Sequence, residues 1–290
     1  MTADLTDLAH GIATGAIVPY LGPGALAGVL DPSNHQPIPA DSDSLILALN
    51  DGRPVSPRLM WEFPRAAMDV ELKRGRSAVH RFLDSTYGAR TWTRAPLHDW
   101  LKTLLPPYVI DINRDTQLQD SYVGVPHTLV RGVSRIGGTD YRFRIHHYDG
   151  ATYREVDQDA VDPGLPVLFK PMGSPRPDAT YIASDADYVD YITELMGGFA
   201  IPSFLKSYRQ GRRYAFLGLR FLRDTERMVM SDMIYGAGTP AGWALIPAPT
   251  EKERRFCQVR GIEIIPAGIP DLLAAAGVEA EGQPMDAAAE

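Results

Sequence analysis

The stretch that decides the fold is Ala16-Ile17-Val18-Pro19-Tyr20-Leu21-Gly22-Pro23-Gly24-Ala25-Leu26-Ala27-Gly28, an apolar run that ends in closely spaced glycines. The run predicts a buried strand, and the glycines predict the loop that leaves it. Because glycine lacks a Cβ atom, Gly22 and Gly24 would permit a positive φ and a close approach to a pyrophosphate, which the following amides would bind. The spacing is GxGxxxG rather than the GxGxxG of dinucleotide sites, so an ordinary turn is the alternative.

Composition limits the class of protein. A chain of 290 residues with 44% apolar content is long enough for one large α/β domain or two smaller ones. We see neither a membrane-spanning apolar segment nor a signal peptide, so we expect a cytoplasmic protein without a membrane partner. The net charge of −7 argues against a nucleic-acid partner. Cys257 is the only cysteine, which excludes an intramolecular disulfide and a paired-thiolate zinc site, and we expect no metal.

The order of the remaining elements predicts an α/β fold. Residues 45–95 have a helical pattern and predict a helical insertion between the first two strands. Residues 128–156 alternate like strands, with turns at Gly137-Gly138 and Asp149-Gly150, and predict a small three-stranded antiparallel insertion. Together with the later strands, these segments predict a doubly wound, Rossmann-like parallel sheet in a single domain over residues 1–278. The small, acidic residues 279–290 predict a mobile tail.

Polar residues follow several of the predicted strands. The strand Tyr108-Val109-Ile110-Asp111-Ile112 runs into Asn113, Arg114 and Asp115. A later strand runs into Lys170-Pro171-Met172-Gly173-Ser174, and another runs into Gly218-Leu219-Arg220. In open α/β sheets the ligand lies outside the carboxyl ends of the strands, so these residues are candidates for a binding site.

Four of these motifs, in the same order, resemble those of bacterial SIR2-like domains. The glycine loop resembles VPFLGAGxS, residues 111–115 resemble TTNYD, residues 170–174 resemble KLHGS, and residues 214–224 resemble FLGYSLxD. The resemblance covers about residues 5–266. It departs from the family pattern at four ligand positions: Pro23 stands for alanine, Leu26 for serine, Met172 for histidine and Arg220 for serine.

The resemblance implies NAD or ADP-ribose as the ligand. In active members of that family catalysis is carried by the asparagine, here Asn113, and by the histidine whose place Met172 takes. By their own chemistry, Asn113 could orient the ribose or a water and Asp115 could stabilise a developing cation, so both are candidate catalytic residues. Arg220 would pair with phosphate or, alternatively, with Asp224. The implied cofactor-binding residues are Gly22, Pro23, Gly24, Ala25, Asn113, Met172, Gly173, Gly218 and Arg220.

Three functions stay open from the sequence. Methionine cannot exchange protons, so Met172 removes the acid or base that the family histidine would supply. We therefore favour an NAD- or ADP-ribose-binding module with weak or no turnover that signals through an unidentified protein partner, with a homo-oligomer also open.

The alternative is an NAD glycohydrolase that releases nicotinamide, in which Asn113 works with another acid or base. His98 is one candidate for that role, although packing against the strand is its simpler role. The third possibility is a scaffold that binds no nucleotide; a zinc-dependent deacetylase is excluded.

Overall fold

A computed structural model describes residues 4–278, so the predicted tail 279–290 lies outside the described residues. Within this range the chain forms a nine-stranded sheet flanked by helices and a separate two-stranded sheet. The strands are β1 (Ile17–Leu21), β2 (Tyr108–Asp111), β3 (His127–Gly132), β4 (Phe143–Tyr148), β5 (Tyr153–Glu155), β6 (Val167–Lys170), β7 (Gly173–Ser174), β8 (Thr180–Tyr181), β9 (Arg213–Leu217), β10 (Gly242–Leu245) and β11 (Ile262–Ile265).

Helices connect most of the parallel strands. They are α1 (Leu5–Ala13), α2 (Ser42–Leu49), α3 (Phe63–Arg74), α4 (Arg76–Leu83), α5 (Pro96–Leu104), α6 (Gln117–Ser121), α7 (Asp185–Gly197), α8 (Ser203–Tyr208), α9 (Asp224–Met233), α10 (Glu251–Val259) and α11 (Ile269–Ala275). The helices α2, α3 and α4 lie between β1 and β2 in the chain, where the sequence predicts a helical insertion. No helix of residues 4–278 is long and apolar enough to cross a bilayer.

The strand order in the large sheet is β11-β10-β9-β1-β2-β6-β3-β4-β5. All neighbouring pairs from β11 to β3 are parallel, and β4 and β5 extend the edge in antiparallel pairs. The predicted α/β fold with a doubly wound parallel sheet is therefore confirmed. The predicted three-stranded antiparallel insertion is confirmed, because β3 pairs antiparallel with β4 and β4 pairs antiparallel with β5. On its other side β3 pairs in parallel with β6, which the sequence did not predict. Alternation along β3 could not reveal the direction of its neighbour.

Strand β1 lies in the interior of the sheet and is buried at all five positions. Its side chains alternate between the two faces of the sheet. Val18 and Tyr20 join the apolar core on one face, and Ile17 and Leu21 join the core on the other face. This two-sided burial explains the continuous apolar run that opens the sequence, because both faces of a parallel sheet are covered by helices.

The helical insertion forms a third apolar cluster beside the glycine loop. Leu26 and Val29 from the loop pack with Phe63 and Leu83 of the inserted helices. Asp41 caps the start of helix α2, where its side chain accepts a hydrogen bond from the amide of Ser44 at 2.8 Å. The insertion therefore covers the region beyond the carboxyl ends of β1 and β2, where the predicted site residues lie.

Candidate functional site

The loop after β1 uses its backbone amides inside the protein. The amide of Gly22 donates to the carbonyl oxygen of Leu217 at 2.9 Å, and the amide of Gly24 donates to that of Gly218 at 2.8 Å. The amide of Ala25 donates to the carbonyl oxygen of Gly22 at 3.0 Å, and Pro23 has no amide hydrogen. These four positions therefore offer no free amide to a phosphate in this conformation.

Neither Gly22 nor Gly24 adopts the positive φ that glycine permits. Gly22 has a φ of −104°, whereas left-handed values occur at Gly28 and Gly218. The reason for glycine is close contact between two loops: a Cβ atom on Gly22 would lie 2.7 Å from the carbonyl oxygen of Gly218, and one on Gly24 would lie 2.9 Å from its Cα atom. A Cβ on Gly218 would lie 2.4 Å from the nitrogen of Ala25. The loops after β1 and β9 thus pack backbone against backbone.

A large groove opens where these two loops meet α2, α5 and α11. Its volume is about 1220 Å³, above the roughly 300–1,000 Å³ that is usual for small-molecule sites. Five of the predicted binding residues line it: Pro23, Gly24, Ala25, Gly218 and Arg220. The sequence reasoning did not include the groove's far wall, which is formed by Leu97, Trp100, Ile269 and Leu273. Those apolar residues resemble ordinary core positions, so the sequence contained no signal for them.

The cationic side chains of the groove already have acidic partners. The guanidinium of Arg220 lies 2.6 Å from the carboxylate of Glu253, so the alternative of a pair with Asp224 was wrong. Arg94 lies 2.7 Å from Asp99, and Arg223 lies 2.9 Å from Asp43. Arg220 is 48% exposed, so one edge of its guanidinium is accessible from solvent.

Asn113 is held in a defined orientation beneath the glycine loop. Its Nδ2 atom donates to the carbonyl oxygen of Gly22 at 3.0 Å and to Oδ1 of Asp111 at 2.9 Å. Because both neighbours are acceptors, the amide nitrogen must face them. Oδ1 of Asn113 accepts no hydrogen bond from residues 4–278, so this oxygen is available to a ribose hydroxyl or a water.

A small cavity lies next to Asn113 and adjoins the groove. Its volume is about 40 Å³, enough for roughly three water molecules at ~10–15 Å³ each. The cavity and the groove share four lining residues: Pro23, Ala40, Ser42 and Glu226. The remaining lining residues of the cavity are Leu45, Phe63, Pro64, Ile112, Asn113, Arg114, Met172, Tyr188, Thr225 and Val229.

Met172 lies in the cavity wall, as its position after β6 predicts. It is 3% exposed and belongs to the apolar core on one face of the sheet. Its thioether places a group without an acidic proton beside Asn113. Gly173, the next residue, lines neither opening; its φ of 82° and the closeness of Thr180 explain the glycine, since a Cβ atom would lie 2.0 Å from that carbonyl oxygen.

A buried polar cluster lies behind Asn113. Lys170 contacts Asp111 at 2.6 Å, and Asp111 in turn accepts hydrogen bonds from the backbone and side chain of Asn113. Asp115 lines neither the cavity nor the groove, and its Oδ1 accepts from the amide of Gln117 at 2.6 Å. Burial raises the pKa of Asp115 to about 6, with Lys170 opposing the shift and Asp111 adding to it.

His98 belongs to this cluster rather than to the cavity. Its Nε2 atom lies 3.9 Å from Oδ2 of Asp111, and neither ring nitrogen has a hydrogen-bond partner among residues 4–278. Burial lowers the pKa of His98 to about 4, against a raising effect of Asp111. This environment keeps the imidazole neutral and favours the packing role over that of an acid or base at the site.

Arg114 fills much of the space beside the cavity. Its guanidinium donates to the carbonyl oxygen of Ile182 at 2.9 and 2.6 Å and to the hydroxyl of Tyr188 at 3.1 Å. It also lies 5.3 Å from the centre of the Phe63 ring, which is the range of a cation–π contact. Arg114 therefore supplies a fixed positive charge at the cavity wall.

Glu226 is the site residue that sequence reasoning missed. It lies in the first turn of α9 and lines both the cavity and the groove. Burial raises the pKa of its carboxyl to about 7; Arg223 opposes the shift, whereas Glu62 and Asp41 add to it. In the sequence Glu226 is one of several charged residues at a helix start, and only the fold shows that it reaches the site.

The geometry agrees with a comparison to known families. The family model for the SIR2-like domain matches residues 109–265, which is more than half of the chain and includes Asn113, Met172 and Glu226. The matched range begins after the glycine loop, so the loop's assignment to phosphate binding stays a prediction. No curated protein matches this chain. The chain belongs to the SIR2-like domain family, whose fold is the sirtuin-related, NAD-binding one.

Proposed function

We propose that this protein binds ADP-ribose or NAD and turns NAD over weakly or not at all. The observation that carries the proposal is the pair of adjoining openings, the groove and the cavity, at the carboxyl ends of the parallel strands; they share four lining residues, and the cavity is lined by Asn113, whose Oδ1 is free. Ligands of open α/β sheets occupy this edge. The groove volume of about 1220 Å³ accommodates a molecule as large as ADP-ribose.

The two compartments suggest how the ligand would lie. The apolar wall at Leu97 and Leu273 suits an adenine ring, and the polar end of the opening at Asn113 suits a ribose. A cavity of about 40 Å³ admits hydroxyl groups or water but is small for a nicotinamide ring. This favours ADP-ribose, or NAD with its nicotinamide outside the cavity.

Weak turnover follows from the chemistry at the cavity. General acid or base help is worth roughly 10²–10⁴ in rate, and Met172 cannot provide it. A module that binds the nucleotide without consuming it is suited to sensing, in which the bound state is passed on to a protein partner. The single cysteine, Cys257, leaves the chain without the thiolate pairs of a zinc-dependent deacetylase.

Titration calorimetry of the full chain with ADP-ribose and with NAD tests the proposal. The groove offers a matched pair of variants, because Ala274 and Ala275 are adjacent residues of α11 and only Ala274 lines the groove. We expect Ala274→Trp to weaken binding of ADP-ribose and Ala275→Trp to leave it unchanged. Absence of binding heat at millimolar ligand from folded protein would reject the function, and equal effects of the two variants would reject the location.

One observation favours the alternative function, an NAD glycohydrolase. Glu226 lines the same cavity as Asn113, and a pKa of about 7 is suited to a general base near neutral pH. In that case the wild-type protein would release nicotinamide from NAD, and Glu226→Gln would slow the release. Following free nicotinamide by chromatography separates this function from binding without turnover.

A further inference from the structure

The carboxyl of Glu226 is left without a partner at the place where the groove meets the cavity. Among residues 4–278 it forms neither a hydrogen bond nor an ion pair, although it lines both openings. The neighbouring Glu62 is used differently: its Oε1 atom accepts from the amide of Asp224 at 2.7 Å and so holds the start of α9. Glu226 is therefore the acidic side chain at this junction that a ligand can meet directly.

Charged groups from several elements face Glu226. Arg223 on its own helix and Arg114 after β2 favour the carboxylate, while Glu62 and Asp41 from the helical insertion favour the neutral acid. The hydroxyls of Tyr20 and Tyr188 are also close enough to be affected by its charge. Burial exceeds these effects and raises the pKa of Glu226 to about 7. A change of pH within the physiological range therefore changes the charge at the junction.

That single charge matters because the arginines that line the groove already have acidic partners, and the positive charge of Arg114 at the cavity wall is opposed by Asp41. Arg94, Arg220 and Arg223 each lie within 2.9 Å of a carboxylate. The amides of Gly22, Gly24 and Ala25 are engaged as well. A pyrophosphate with two negative charges would therefore meet a nearly balanced groove when Glu226 is neutral and a net negative one when it is ionised.

We infer that Glu226 is a specificity-determining residue that selects ligands by charge: the neutral acid admits the dianionic ADP-ribose, and the carboxylate disfavours it. The inference rests on the proposed binding of ADP-ribose. It requires that binding takes up a proton, since the ligand's charge stabilises the neutral form of Glu226. The affinity for ADP-ribose then falls as the pH rises through about 7, by roughly tenfold for each unit by which the ligand raises the pKa of Glu226.

The test is titration calorimetry of the full chain with ADP-ribose between about pH 6 and pH 8.5, in two buffers of different ionisation enthalpy. No histidine lines the described groove or cavity, and the pyrophosphate of ADP-ribose does not titrate in this range, so Glu226 is the expected source of any slope. We expect proton uptake by the wild-type protein and about tenfold weaker binding at the upper pH. Adenosine, which lacks the phosphates, is the neutral probe and should bind with the same affinity at each pH.

The variants make the assignment specific. Glu226→Gln keeps a neutral side chain of similar size, so its affinity should be independent of pH and close to that of wild type at low pH. Glu251→Gln, an exposed residue in the first turn of α10, is the matched control and should retain the wild-type slope. If the Glu226→Gln variant is unstable, the two-buffer measurement on wild type still counts the protons. If ADP-ribose binds with the same affinity at every pH, the role of Glu226 is overturned but the proposed function is not. If ADP-ribose does not bind at any pH, the proposed function is overturned.

Discussion

The Nζ atom of Lys170 lies 2.6 Å from Oδ2 of Asp111, and neither side chain is exposed to solvent. The other carboxylate oxygen of Asp111 accepts the two hydrogen bonds that orient Asn113. The ion pair thus connects strand β6 to strand β2 directly below the candidate ribose site. Burying two charges is costly, and the cost is recovered only while both partners remain.

Lys170→Met should therefore destabilise the protein by about 3–5 kcal/mol, because it leaves the carboxylate of Asp111 buried without its cation. Lys73→Met is the control: Lys73 forms an exposed pair with Asp69, which should contribute only about 0.3–0.5 kcal/mol. Urea unfolding of both variants gives the comparison. Similar losses of unfolding free energy in the two would show that the buried pair is not required.

The contact between the two glycine-containing loops predicts a steric effect. Gly22→Ala places a Cβ atom 2.7 Å from the carbonyl oxygen of Gly218, and both loops must shift to accept it. We expect a loss of about 1–3 kcal/mol in unfolding free energy. Gly137→Ala is the control, since a Cβ atom there meets open space without a positive φ. Thermal unfolding measures both, and a wild-type melting temperature for the Gly22→Ala variant would contradict the close packing of the two loops.

Because Oδ1 of Asn113 is free, we expect a substitution of Asn113 to lower the affinity for ADP-ribose without unfolding the protein. Asn113→Ala removes the acceptor that we assign to the ribose, and the affinity for ADP-ribose should fall by about 1–3 kcal/mol. Asn50→Ala, at the exposed end of α2, should not change it. Calorimetric titration measures the affinities, and circular dichroism checks the fold. An unchanged affinity in the folded Asn113→Ala variant would show that the ribose does not bind at Asn113.

The proposed weak turnover can be tested by introducing a histidine in place of Met172. Histidine and methionine have similar volumes, so Met172→His should be tolerated in the cavity wall and should raise the rate of nicotinamide release from NAD. Met172→Gln has no group that titrates near neutral pH and should give no gain. The rates are measured by chromatography of free nicotinamide. Rapid release by the wild-type protein would contradict the binding module and favour the glycohydrolase.

The buried carboxyl of Asp115 predicts a pH dependence of stability. Its pKa is about 6 in the folded protein, against 3.8 for an ordinary aspartate, so the folded state holds the proton more tightly. The contribution of this group to stability is present at low pH and is lost as the pH rises from about 4 to about 6. Asp115→Asn can still accept the hydrogen bond from Gln117. It should be more stable than wild type above pH 6, by about 1–3 kcal/mol, and similar at pH 4.

Urea unfolding of wild type and of the Asp115→Asn variant across this pH range gives the difference in their unfolding free energies. Both proteins contain His98, so its contribution cancels in that difference. Asp149→Asn is the control of opposite sign, because hydrogen bonds from Thr152 and Ala151 lower the pKa of Asp149 and stabilise its charged form. That variant should be less stable than wild type at neutral pH. A constant difference between the Asp115→Asn variant and wild type at every pH would show that Asp115 ionises normally.

Sequence patterns predicted those features that depend on neighbouring residues. The buried strand predicted from the apolar run of β1 follows from local sequence, and it is present. The position of Asn113 beyond a strand follows from the same reasoning. The parallel direction of β3 depends on β6, which comes much later in the chain, so alternation could not reveal it.

The missed features depend on contacts between distant segments. The glycines at 22 and 24 are required by the backbone at Gly218, which no local spacing encodes. Arg220 pairs with Glu253 rather than with Asp224, because the chain turns α10 toward the end of β9. Glu226 reaches the cavity only because the helical insertion and α9 meet above the sheet.

The groove and the cavity meet at Pro23, Ala40, Ser42 and Glu226, and this junction has a consequence for inhibitor design. An adenosine-like fragment in the groove and a small hydroxylated fragment in the cavity would be neighbours separated only by these side chains. Joining them through a short linker turns the second binding event into an intramolecular one, at an effective concentration on the order of millimolar. Two weak fragments would then yield one tight compound, and the linker would pass directly over the carboxyl of Glu226.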